Sequence, residues 1–246
     1  MRAKLAVLAV IWTAALALLV SPFLAKPVAE DPLIAGFKQT TVASVADAMD
    51  QVVGRPGFLA HDVRPMVPGK VVGRAATALV KPAAAEQAAP ALAVKHSVEM
   101  IDAAAPGDVG VIVMEGSLDV AAIGGLMATA ARARGMAGMV LDGAVRDVGE
   151  IRALGLPVYA RSVSPATAVG RYASVAKQLE VTCGGIAIKP GDIIVAGEDG
   201  VVAVPQEKAA QVLERAQSID AREIKMVPFI KRHRSLQKVV ELFNRI

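Results

Sequence analysis

The stretch VGVIVM, Val109 to Met114, constrains this chain more than any other. Six apolar residues in a row, with no alternation, predict a strand covered on both faces. The next fifty residues repeat the theme. LMATAARAR (126–134) reads as a helix closed by Gly135, AGMVLD (137–142) as a strand, VGEIRALG (148–155) as a short helix closed by Gly155, and PVYA (157–160) as a strand. A β-α-β-α-β alternation with glycine just past each helix requires parallel strands joined by right-handed crossovers. The fold class expected is therefore α/β.

The flanks add to this centre. Residues 40–54 (TTVASVADAMDQVVG) carry apolar positions at helical spacing, residues 64–80 read as extended segments with turns at Pro68-Gly69 and Gly73, and residues 88–104 read as helical. A loop is expected around Ser164 to Lys177. Residues 179–205 then divide into short β segments at Gly184-Gly185, Pro190-Gly191 and Asp199-Gly200, a β meander by its turn chemistry. Pro205 opens a long helix reaching Met226, and residues 227–246 form a separate basic amphipathic tail helix. Its Lys231, Arg232, Arg234 and Lys238 suit lipid headgroups, a solvated face or a trimer contact.

At the other end, MRAK precedes 21 uncharged residues, Leu5 to Ala25. That length fits a membrane-spanning helix or a secretory signal peptide, and both readings stay open. Either carries the rest of the chain to the exported, periplasmic side, anchored or free; the chain is cytoplasmic if the leader is a misassigned start. Residues 26–39, with Pro27, Pro32 and Gly36, read as a linker, and residues 40–226 as the main domain.

Composition excludes several classes. Aromatics are 3% of the chain and the net charge is only +4, so neither base stacking nor a phosphate-binding surface is indicated, and no nucleic-acid partner is expected. The lone Cys183 permits no intrachain disulfide. There is no Gly-x-x-x-x-Gly-Lys-Ser/Thr loop and no Gly-x-Ser-x-Gly elbow. His61, His96 and His233 are too scattered for a zinc site.

Two spots remain. Gly124-Gly125 stand immediately before a helix, whose first amides can hold a carboxylate or phosphate; the plainer reading is a loop needing positive φ or close helix packing. Arg146-Asp147 come just after a strand, and ligands of open parallel sheets bind beyond the carboxyl ends of strands. An arginine there can stabilise an enolate oxygen and an aspartate can hold a divalent cation. The plainer reading makes Asp147 the N-cap of the next helix. The two spots belong to neighbouring βα units, so both open at one sheet edge, and the combination suits a 2-oxo acid.

GGLMATAARARGMAGMVLDGAVRDVGEIRALGLPVYAR and VTCGGIAIKPGDIIVAGEDGVVAVP, with SVADAM and APGDV upstream, resemble the family of regulator of ribonuclease activity A and the 4-hydroxy-4-methyl-2-oxoglutarate aldolases. The similarity runs from about Thr41 to about Met226. The resemblance implies a layered β/β/α single domain, assembled as a homotrimer or hexamer with sites between subunits. It implies a class II pyruvate aldolase that also decarboxylates oxaloacetate, using Mg²⁺ or Mn²⁺. In this chain Arg146 would contact the 2-oxo oxygen and Asp147 would ligate the metal. Gly124 and the amides of Gly125, Leu126 and Met127 would hold the pyruvate carboxylate. The chain departs from the family pattern at Gly125, where many aldolase members carry an acid 21 positions before the arginine, and at Gly197, where an Asp is common. A protein-binding regulator and a membrane-tethered, catalytically idle relative are the alternatives.

Overall fold

In the computed structural model, which describes residues 30–116 and 118–243, VGVIVM is a strand with every residue buried. The strands are β1 (Arg64–Val67), β2 (Val71–Pro82), β3 (Val109–Met114), β4 (Ala121–Ile123), β5 (Gly138–Val145), β6 (Val158–Val163), β7 (Tyr172–Lys177), β8 (Val181–Cys183), β9 (Ile186–Ile188), β10 (Ile193–Gly197) and β11 (Gly200–Val204). The helices are α1 (Pro32–Gln39), α2 (Val42–Val52), α3 (Pro90–Ala93), α4 (Lys95–Ala103), α5 (Gly125–Ala133), α6 (Val148–Leu154), α7 (Ala209–His233) and α8 (Leu236–Phe243).

The main sheet runs β1-β6-β5-β3-β2-β10-β11, with β2, β3, β5 and β6 parallel at its centre. β4 adds in parallel to β5, and β7 adds antiparallel to β2. Side-chain alternation along the buried strands explains why an unbroken apolar run is needed. Ile112, Met114, Met139 and Leu141 pack on Met100, Ala128 and Ile151 of α4, α5 and α6. Val109, Val111, Val113, Val140 and Tyr159 face the other way, onto Val181, Cys183 and Ile188 of the β8–β9 hairpin. The result is helices, sheet and small sheet in three layers. A further cluster joins β10 and β11 to α1, α2 and α7 through Phe37, Val45, Val195, Val202 and Val212.

Several expectations change. Residues 32–39 are not linker but α1, with Ile34 and Phe37 buried. Pro32 is compatible with a first helical turn and the two apolar residues lie three apart, so the proline signals a helix start. Gly73 is no turn but lies within β2, where a Cβ would sit 2.0 Å from the Gly107 carbonyl oxygen. The loop expected up to Lys177 ends in β7, paired to Ala78–Pro82 of β2. The separate tail helix from 227 does not form. α7 continues through Pro228 to His233, turns at Arg234 (φ 49°) and is followed by α8. Pro228 removes one backbone bond, yet Phe229 stacks on His233 and meets Phe243 edge-on, which holds the end of α7 against α8. The apolar leader lies outside the described residues. Among those described, no helix is long and apolar enough to cross a membrane.

Tyr159 sits near the start of β6, buried, and donates to the Gly69 carbonyl oxygen at 2.8 Å. Burial pushes its hydroxyl up to about 12, and the negative charge of Glu198 adds to the shift. An unfolded tyrosine ionises near 10. Between those values the unfolded chain sheds a proton that the folded chain keeps, so this contribution to stability falls as pH rises from 10 to about 12. Tyr159→Phe should cost about 1 kcal/mol at pH 7 through the lost bond, and remove on the order of 2 kcal/mol of the alkaline decline. Urea unfolding of both proteins from pH 8 to 11.5 checks this; parallel curves would refute it.

Candidate active site

β4 and the end of β5 run side by side, Ala121 against Ala144 and Ile123 against Val145. The Arg146 amide donates to the Ile123 carbonyl at 3.1 Å. Both chains then turn at the same edge, one into Gly124 and the other into Arg146. β5 is longer than the sequence pattern indicates. It continues through Val145, with an irregular register against β6 between Leu141 and Ala144. Asp142, inside that irregularity, points away from the turn. It accepts from Arg161 Nη1 at 3.0 Å and from the Gly184 amide at 2.7 Å. Arg161 also clasps Asp62 through Nε and Nη2 at 2.8 and 2.7 Å, which holds the Asp62 carboxyl below the usual carboxylate range.

Neither Gly124 nor Gly125 has positive φ. What sets them apart is that side chains from the next βα unit lie on their backbone. A Cβ at Gly124 would sit 2.6 Å from Asp147 Oδ2 and 2.8 Å from Arg146 Nε. A Cβ at Gly125 would sit 2.4 Å from Glu150 Oε2 and 3.6 Å from Asp147 Oδ2. Asp147 Oδ2 accepts from the Gly125 amide at 2.9 Å, so it already occupies one donor at the start of α5.

Asp147 stands at the N-cap position of α6 but makes no side-chain cap. Its backbone is left-handed (φ 57°, ψ 35°), a conformation aspartate tolerates better than most residues at a cost of roughly 1 kcal/mol or more. That turn swings the carboxylate out of α6 and toward α5. It also puts Arg146 Nε 3.7 Å from Asp147 Oδ2. Adjacent residues cannot pair this way on a helix; here one ends a strand and the other is left-handed. The two side chains are 41% and 39% exposed, open to a ligand.

Gly124, Gly125, Leu126, Met127, Arg146 and Asp147 together line a cavity of about 190 Å³. That scale suits a small acid rather than a nucleotide. Val94 and the segment Thr167–Val169 complete the wall and were not legible as site residues, since they come from distant parts of the chain. Glu150 was also missed; its only signal was an acid three residues beyond Asp147. A larger cavity, about 630 Å³, opens beside Phe58, His61 and Gly184–Ile186. Arg64 and the start of α2, Val42 and Ala43, also line it, but the Arg146-Asp147 turn and the Gly124-Gly125 helix start meet only in the smaller cavity.

These features define an α/β protein whose candidate site is a helix start facing an Arg-Asp turn across two parallel strand ends. The RraA-like family, described as Aldolase/RraA, matches residues 42–203, and the chain belongs to it. It is 31% identical over 198 residues to a candidate 4-hydroxy-4-methyl-2-oxoglutarate aldolase of Halalkalibacterium halodurans, covering 78% of this chain and 86% of that one. It is 36% identical over 132 residues to an uncharacterized protein of Methanocaldococcus jannaschii, covering 53% of this chain and 62% of that relative's length. Among solved structures, it resembles a Streptomyces coelicolor protein described as an unusual member of the RNase ES inhibitor RraA family. That likeness has TM-score 0.69 and 26% identity, over 78% of this chain and 93% of the other.

The Gly124→Ala variant tests the close approach directly. Gly124 has φ −135° and ψ −168°, which alanine adopts freely, so the added methyl acts only through space. It should break the 2.9 Å bond from the Gly125 amide to Asp147 and displace Arg146, at a cost of about 1–3 kcal/mol. A crystal structure and urea unfolding read both. An unmoved Arg-Asp pair would show that the glycine serves another purpose.

Proposed function

We propose that this protein is a divalent-metal-dependent lyase. It cleaves 4-hydroxy-4-methyl-2-oxoglutarate-like 2-oxo acids to pyruvate and decarboxylates oxaloacetate. The observation that carries the reading is the convergence of Arg146, Asp147 and the first turn of α5 on one small cavity.

The chemistry rests on those groups. In aldol cleavage the C3–C4 bond breaks and its electron pair moves onto C3, giving the enolate of pyruvate, while the C4 hydroxyl loses its proton to water. The enolate then takes a proton at C3. Charge therefore grows on the 2-oxo oxygen, and the Arg146 guanidinium is the group able to stabilise it. The amides of Leu126 and Met127 lie in the first turn of α5, which lacks intrahelical acceptors, and suit the substrate carboxylate. Gly125 donates to Asp147 instead, so this bond orients the aspartate.

The donor set fits a cation bound mostly by water. Among the described residues no group of three His, Cys, Asp or Glu side chains is arranged to hold a metal. Asp147 and Glu150 nonetheless converge on the space in front of Gly125. Few protein oxygens and several waters is the regime of Mg²⁺, with Mn²⁺ as its substitute. Asp147 would hold the ion, which when bound polarises the 2-oxo group. Leu126, 90% exposed beside the site, supports a homo-oligomer in which another copy covers it. The leader supports a location outside the cytoplasm, which a reporter fusion after residue 30 tests.

A regulator that binds a protein is the second reading, favoured by the likeness to the RNase ES inhibitor family member. The purified chain should release pyruvate from the hydroxy-oxo acid or oxaloacetate only with Mg²⁺ or Mn²⁺, and EDTA should abolish release. Arg146→Ala and Asp147→Ala, folded by circular dichroism, should each lose about 10²–10³-fold in kcat/KM. EDTA-resistant activity trapped by borohydride would replace the metal with a lysine Schiff base. No turnover of any 2-oxo acid with metal present would favour the protein-binding reading.

A further inference from the structure

Glu150 is the carboxylate beside this site that no described residue holds. It lies in the first turn of α6, three residues after Asp147. A first-turn acid ordinarily faces solvent and favours the helix dipole. Here the carboxylate reaches back over α5, with Oε2 2.4 Å from the point where a Cβ at Gly125 would begin. Asp147 Oδ2 is 3.6 Å from the same point, so the two oxygens are at most about 6 Å apart. Glu150 has no hydrogen bond or ion pair with any described residue, and it is exposed. Two carboxylates therefore face one space, one held by an amide and the other unpartnered.

Resting on the cation reading above, we infer that Glu150 supplies the second carboxylate of the cation site, filling the space that a side chain at position 125 would otherwise enter. The geometry makes the two arrangements exclusive. A side chain at 125 must displace the end of Glu150, and glycine at 125 leaves the seat to Glu150. Two oxygens on one Mg²⁺ or Mn²⁺ stand about 3–4 Å apart, and a bridging water widens that. Glu150 thus has room to bind the ion directly or through one water of its shell. An acid in a helix's first turn is also pre-directed, because only its own rotamers must settle when the ion arrives.

The test is Mn²⁺ affinity of the full chain, read from the electron paramagnetic resonance signal of free Mn²⁺. It reports binding without turnover. Glu150→Gln keeps shape and removes charge, and should weaken Mn²⁺ about 10-fold or more with an unchanged thermal midpoint. Glu150→Asp should recover part of the loss. In the double variant Gly125→Asp/Glu150→Ala the new carboxylate enters the vacated space and should restore affinity. Wild-type affinity in Glu150→Gln, while Asp147→Asn loses the ion, would overturn the inference and leave the cation reading intact. A wild-type chain that binds no Mn²⁺, with or without oxalate, would overturn both. Loss in Glu150→Gln that neither substitution reverses would refute the exchange of positions.

Discussion

The site depends on one backbone bond, from the Arg146 amide to the Ile123 carbonyl. It closes the short parallel pairing of β4 with the end of β5, so two chain segments turn at one level of the sheet. That shared level brings the start of α5 and the Arg-Asp turn into contact, and the bond from the Gly125 amide to Asp147 joins them. The price of that proximity is steric, and glycine meets it. Side chains of the second turn lie on the backbone of the first, where a Cβ at either glycine would come within 2.6 Å of a carboxylate oxygen. The glycines thus answer to the side chains that pack on them, not to their dihedral angles.

The edge of the sheet is braced from the other side. Arg161 on β6 ties Asp142 of β5 to Asp62, and Asp142 also receives the Gly184 amide from the β8–β9 turn. This charged girder is partly exposed, with the Arg161 side chain 29% accessible, so each bond is weaker than a buried one. Its value is geometric. It fixes the irregular stretch of β5 immediately before the site, and the depressed Asp62 carboxyl makes it strongest above the acid range.

Much of this was legible before any coordinates. The continuous apolar strands, the glycine-closed helices and the turn pairs of the meander each have a local physical cause, and the sheet formed where those causes pointed. Legibility failed where long-range contact overrode local chemistry. Pro32 and Gly36 suggested a linker, yet burial of Ile34 and Phe37 makes a helix. Tyr172–Lys177 has weak strand character, but β2 offered an open edge for it. The basic run from 227 suggested a separate helix, and packing of Phe229 on α8 accompanies a helix that continues past Pro228 to His233. At the site, Gly124, Gly125, Arg146 and Asp147 were visible because motif and sheet edge coincide. Val94 and Thr167 were not, because no spacing rule links them to the pair, and Glu150 showed only as an acid three residues beyond Asp147.

Sequence alone determined the class of fold, the family and the two turns proposed to carry the chemistry. These rest on local properties: hydrophobic period, glycine and proline placement, and the residue types of a short motif. Only the tertiary structure decided that Asp147 adopts a left-handed turn and bonds the Gly125 amide, and that Glu150 bends back over the seat left by a missing side chain. Those facts arise from how closely two loops approach in space. Chain order carries no record of that distance, since it is set by the pairing of strands from separate βα units.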